Sequence, residues 1–197
     1  NASGDQTMAY LYTVKLKRHT MSEQTIDPRY PIGKYAPQPF SERQLKDWLD
    51  DIKNLPVLLE QSLNNLEESQ LDTPYREGGW SIRRLTHHIA DSHMNAYIRF
   101  KLALTEDNPT VKPYSEGLWA ELKDSDLPVS VSISLVHALH SRFYELLSSM
   151  DINDWNRTIF HPVQQKQFTL WQQLGMYAWH GRHHVAHITT AREKRSW

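Results

Sequence analysis

Between Ser41 and Leu66, apolar side chains recur at Leu45, Trp48, Ile52, Leu55 and Leu59, the three-and-four spacing of a single helix face. Ser41-Glu42-Arg43-Gln44 has the Ser-x-x-Gln form of a capping box, so a first helix is predicted to start there and run to about Leu66, kinked at Pro56. A turn containing Thr73-Pro74 and Gly78-Gly79 leads to Ser81, a suitable N-cap for a second long helix ending before Asn108-Pro109. Tyr114 to Lys123 reads as a short helix or ordered loop, and Val131, Leu135, Leu139, Phe143 and Leu146/Leu147 mark a third helix over Ser130–Met150. The period then changes. Arg157–Pro162 and Gln167–Thr169 bracket the polar Gln164-Gln165-Lys166 in a hairpin-like excursion, after which Thr169 and Gln172 repeat the capping box and open a fourth helix to about Glu193.

Upstream, Pro28, Pro31, Pro37 and Pro39 with Tyr30 and Tyr35 favour an extended arm, and AYLYTVKLK at Ala9–Lys17 alternates loosely enough for a short strand. The chain begins with Asn1 and carries Met8 and Met21, so residues 1–29 are set apart as an N-terminal extension that includes a processing remnant. Residues 30–197 form the domain. Four long helices without an internal repeat predict an all-α fold: a four-helix bundle with an extended N-terminal arm and a small hairpin before the last helix.

Composition narrows the function. The length of 197 residues suits one domain with its own core, and 22 Lys plus Arg against 23 Asp plus Glu leave a net charge of −1, with no basic field to attract nucleic acid. No window reaches the roughly 18 apolar residues of a membrane span, and no signal-peptide pattern precedes the fold, so a cytoplasmic protein is expected. The absence of cysteine excludes disulfides, thiolate metal sites and thiol nucleophiles of the chain's own. No Gly-rich phosphate loop, Gly-x-Ser-x-Gly elbow or dinucleotide fingerprint occurs. Trp80, Trp119, Trp155 and Trp171 read as core or helix-entry anchors, and Glu67, Glu68 and Asp72 as a solvated helix end.

What stands out is 11 histidines. In the fourth helix, Trp179-His180-Gly181-Arg182-His183-His184-Val185-Ala186-His187, about 100° per residue puts His180, His184 and His187 along one edge of the apolar side, with His183 turned toward solvent. His180 and His184 stand at i and i+4, the spacing by which two imidazoles on successive turns hold one metal. The second helix offers His88 on one flank of its apolar side and His93 on the other, with His87 nearly opposite; the count favours His88 as a third ligand, with His93 as its competitor because Met94 and Ile98 form a second apolar strip. His19, His137, His140 and His161 are expected to cap, pack or face solvent, and His137 with His140 at i, i+3 could share a cavity. Clustered imidazoles are costly to bury charged, and a bound cation relieves that cost.

The segment LDTPYREGGWSIRRLTHHIADSHMNAYIRFKLALTE (Leu71–Glu106), with YPIGKY (Tyr30–Tyr35) and YAWHGRHHVAHIT (Tyr177–Thr189), closely resembles the Bacillus metal-dependent hydrolase family of the DinB-like superfamily. The resemblance implies a DinB-type four-helix bundle, a homodimer, and one divalent metal per subunit, zinc or nickel, held by His88, His180 and His184. It also makes His187 a pocket-lining residue, since Gln is common there in the superfamily. Three neutral imidazoles leave coordination positions open, the pattern of a catalytic site at which water is activated for hydrolysis of a small-molecule substrate. Asp91 and Asn95, one and two turns beyond His88, are expected to orient a ligand or the water. Related superfamily members are thiol transferases, so attack by an external low-molecular-weight thiol such as bacillithiol is the rival chemistry, and a non-enzymatic metal- or ligand-binding bundle is the rival outside catalysis.

Overall fold

Ser41 begins the first helix as its spacing predicts: the hydroxyl accepts from the Gln44 amide at 3.1 Å, and α1 runs Glu42–Leu63. In the computed structural model, which describes residues 27–197, α1 is followed by a short α2 (Glu68–Leu71) and then α3 (Ile82–Thr105), capped by Ser81 through the Arg84 amide. A single turn, α4 (Glu116–Trp119), and a 3-10 turn at Lys123–Asp126 fill the stretch read as helix or loop. Helix α5 spans Val129–Ser148 and α6 spans Leu170–Arg195, with the strands β1 (Thr158–His161) and β2 (Lys166–Thr169) between them. The expected strand at Ala9–Lys17 lies outside the described residues.

The first helix ends at Leu63 rather than Leu66 because the backbone turns there: Asn64 is extended and Asn65 takes φ 61, which no helix interior adopts. Pro56 stands inside α1, which continues through it. Thr169 and Gln172 form a complete capping box, each side chain bonded to the other's amide, so Thr169 both closes the hairpin opposite Thr158 and starts α6.

Helix α1 packs against α5 and α6, and α3 packs against the same two, so the consecutive pairs α1/α3 and α5/α6 are the diagonals of the bundle. The apolar interior divides into two clusters. One holds Trp48, Ile52, Phe100, Phe143, Trp171 and Leu174 near the hairpin; the other holds Leu55, Leu59, Leu85, Ile89, Val136 and Ile188. On α3, α5 and α6 a histidine falls where one cluster gives way to the other: His93 between Ala90 and Ala96, His140 between Val136 and Phe143, and His180 to His187 between Ala178 and Ile188. The bundle therefore carries a buried polar layer across its middle.

The arm from Asp27 to Phe40 lies along α6. Trp171 Nε1 donates to the Gln38 carbonyl (2.7 Å), Trp179 Nε1 to the Gly33 carbonyl (3.1 Å), and the Tyr35 hydroxyl to the Gln172 carbonyl (3.3 Å). This contradicts the expectation that His183 faces solvent: it is 7% exposed, stacked on Trp179 with ring centroids 4.4 Å apart and with Tyr30 beyond it. Helical periodicity alone could not show that the arm covers that face.

Candidate metal centre

His88 sits two turns into α3, where Trp80, at the end of the Thr73–Ser81 turn, packs on its ring at 4.9 Å between centroids. The turn itself is closed by Tyr75 donating to the Trp80 carbonyl, and Gly78 takes φ +64, a conformation that favours glycine. His180 and His184 occupy successive turns of α6. Gly181 between them allows α6 to approach α1, since a Cβ there would lie 2.8 Å from Leu55 Cδ2.

These elements bring three Nε2 atoms to one point. His180 Nε2 lies 3.3 Å from His88 Nε2 and 3.1 Å from His184 Nε2, and one nitrogen from each of the three falls within 4.8 Å of the others. Zinc–imidazole bonds of about 2.0–2.1 Å at tetrahedral angles separate ligand nitrogens by about 3.3–3.4 Å, so the donor set fits a divalent cation in spacing as well as in kind. Burial keeps the imidazoles neutral, as ligands must be. It pushes His88 down to about 4, and it holds His180 and His184 well below the ordinary histidine range, helped there by repulsion from neighbouring imidazoles, His88 and His183 among them. The His184 Nδ1 atom is buried without a hydrogen-bond partner.

The cluster opens into a cleft of about 420 Å³ lined by Tyr75, Arg76, Trp80, Glu116, Trp179 and His183 as well as the three histidines. Arg76 forms no ion pair among the described residues; its guanidinium donates to the Glu77 carbonyl, while its Nε is buried without a partner. A larger cleft, about 710 Å³, lies beside it around the Arg83, Glu68 and Asp72 ion pairs and contains no histidine.

A family model for the DinB superfamily matches residues 51–188, a span that contains all three of these histidines. The chain belongs to the DinB superfamily. Two relatives in that superfamily bear the name "Putative metal-dependent hydrolase": one from Bacillus cereus strain B4264 is 51% identical and one from Bacillus anthracis is 50% identical, each over 87% of this chain and 99% of its own length. Among solved structures, the chain is similar to YfiT of Bacillus subtilis, described as "a probable metal-dependent hydrolase with an unusual four-helix bundle topology". That match has TM-score 0.85 and 44% identity, and it covers 87% of this chain and 99% of that one.

Within this DinB bundle the remaining sequence candidates fall as follows. His93 is fully buried, and its Nε2 faces His180 Nδ1 at 3.3 Å. His87 turns the other way, to Ser132 Oγ (2.7 Å) and the Leu127 carbonyl (2.9 Å). His187 Nε2 meets His183 Nε2 at 3.1 Å beneath Tyr75. Asp91 is half-buried and burial pushes its carboxyl up to about 6; Asn95 donates to the Asp91 backbone carbonyl at 2.8 Å, and neither side chain hydrogen-bonds a clustered imidazole. His137 and His140 share no cavity: the first pairs with Glu60 at the surface, whereas the second is buried against α1 and His93. The sequence did not single out Tyr75 or Arg76, and His140, expected to cap, pack or face solvent, packs in the buried layer. The signal for His140 was its place on the apolar stripe Val136, His140, Phe143, Leu147.

Proposed function

We propose that the chain is a hydrolase of small-molecule substrates, working at one divalent cation, zinc or nickel, held by Nε2 of His88, His180 and His184. The observation that carries this reading is the separation of 3.1 and 3.3 Å between these nitrogens at the wall of a cleft. When bound, such a cation supplies Lewis acidity toward water and toward a substrate carbonyl. The chain's own residues do the rest. Three neutral imidazoles leave coordination positions for water or substrate on the cleft side. Trp80 and Trp179 give the cleft apolar walls, and Arg76, with no ion-pair partner among the described residues, offers a cation to an anionic group on the substrate.

The test is elemental analysis of untagged protein, followed by turnover. Wild type and a His137→Ala control are expected to carry about one metal per chain, while His88→Ala, His180→Ala and His184→Ala lose it. Loaded wild type then hydrolyses esters or amides at a rate indifferent to added thiol. A rate that requires a low-molecular-weight thiol and an electrophile would replace hydrolysis by thiol transfer. Full loading with no turnover in either panel would leave a binding protein, and wild type that takes up no metal on reconstitution would end the three-histidine reading.

A further inference from the structure

Pro56 has no amide hydrogen, so the carbonyl of Ile52, one turn earlier in α1, lacks its normal helical donor. His140 Nδ1 lies 2.6 Å from that carbonyl. A carbonyl only accepts, so Nδ1 of His140 carries the proton and its Nε2 is a bare lone pair. That Nε2 lies 3.0 Å from His93 Nδ1, which must then be the donor, leaving His93 Nε2 bare in turn. The next contact, His93 Nε2 to His180 Nδ1 at 3.3 Å, obeys the same logic: His180 donates from Nδ1 and keeps Nε2 unprotonated. Ser92 Oγ, 3.5 Å from His180 Nε2, is the hydroxyl able to donate to that exposed lone pair.

We propose that Pro56, His140 and His93 are positioning residues that fix His180 in its Nδ1–H tautomer and so turn its Nε2 lone pair toward the metal centre. The last step rests on the three-histidine reading; the preceding ones do not. The relay lies in the polar layer between the two apolar clusters, and His93 and His140 are 0% and 1% exposed, so no solvent can supply an alternative partner. The direction of the chain is set at its start, where the Ile52 carbonyl can only accept and so fixes the proton of His140 on Nδ1. Neutral histidines leave one consistent arrangement, and its origin is a proline on α1, three hydrogen bonds along the relay from the ligand it orients.

The experiment is two-bond 1H–15N NMR on histidine-labelled, metal-free protein, with the His180 signal assigned by its loss in His180→Ala, together with metal affinity by competition with a chelator. Wild type is expected to show His180 protonated at Nδ1. His93→Leu removes the acceptor and is expected to move the proton to Nε2, weakening metal binding by about 10–100-fold. His93→Gln, whose amide can donate to His140 and accept from His180, restores both readouts. The pair Pro56→Ala/His140→Phe tests the far end while protecting the fold, because alanine in place of the proline returns a backbone donor to the Ile52 carbonyl; without His140 to accept, His93 reverses its proton and His180 follows. A His180 protonated at Nε2 in wild type, or a tautomer unmoved in both His93→Leu and the double variant, would overturn the relay. A correct tautomer in a wild type that binds no cation would retain the relay and overturn the metal reading instead.

Discussion

Acidifying the metal-free protein from pH 7 to pH 5 should destabilise it sharply, and the buried histidines set the size of the effect. Burial pushes both His88 and His140 down to about 4 in the folded chain. Unfolded, each titrates near 6.5, so as pH falls below that value the unfolded chain takes up protons that the native state refuses. Stability contributed by the neutral forms is therefore complete above about pH 6.5 and is lost progressively down to about pH 4. At pH 5 each group has cost about 2 kcal/mol, against a few tenths at pH 7, so the two together cost about 4 kcal/mol. His93, His180 and His184, held well below the ordinary range, act in the same direction. Asp91, raised to about 6 by burial and the nearby Asp124, acts in the opposite one, but it is half-exposed and screened. A loss of this size is a large share of the 5–15 kcal/mol that typically separates folded from unfolded domains. Urea unfolding in the presence of a chelator at pH 7, 6 and 5 measures it, and Pro56→Ala/His140→Phe should lose about 2 kcal/mol of the pH dependence. A midpoint that stays constant from pH 7 to pH 5 with an unchanged slope would refute the neutral, buried layer.

Gly175→Ala should lower the melting temperature despite the better helix propensity of alanine. The new Cβ would stand 2.5 Å from Trp48 Cη2 and 2.6 Å from the Tyr35 hydroxyl, and overpacking of this kind costs about 1–3 kcal/mol; a rise in melting temperature would show that the arm and Trp48 yield freely. Arg76→Met should raise KM for substrates carrying a carboxylate by about tenfold, the value of one charge-assisted contact, while leaving metal content and the turnover of neutral esters unchanged. Equal losses on charged and neutral substrates would assign Arg76 to the shape of the cleft rather than to anion recognition.

How far the sequence foretold this molecule depends on how local each feature is. The caps at Ser41, Ser81 and Thr169 are hydrogen bonds between residues three apart, and the apolar stripes are properties of single helices, so the four long helices and the hairpin could be read directly. The facing of His180 and His184 is local in the same sense. The relative depth of His88 and His93 was less local: the helical count favoured His88 but left His93 in competition, because both flank the apolar side of α3. The packing of α3 against α6 sets their places, with His88 beside Trp80 at the cleft and His93 underneath, where its Nε2 meets His180. His183 was misjudged for a related reason: the face it occupies is exposed on an isolated helix and is covered by an arm about 150 residues earlier in the chain. The pairing of Ile52 with His140 spans 88 positions, and the sequence shows only its first half, a proline that strips a buried carbonyl of its donor. Every buried carbonyl needs a donor, so an interior proline in a packed helix is a search instruction: some side chain on a neighbouring helix is to be found opposite the residue four positions earlier. Applied to α1, that rule points to a donor on α5 or α6, the helices packed against it; α5 buries two polar side chains, and Ser132 is already paired with His87, which leaves His140. The polar layer can thus be reached from the sequence once the bundle's neighbours are known, but not before.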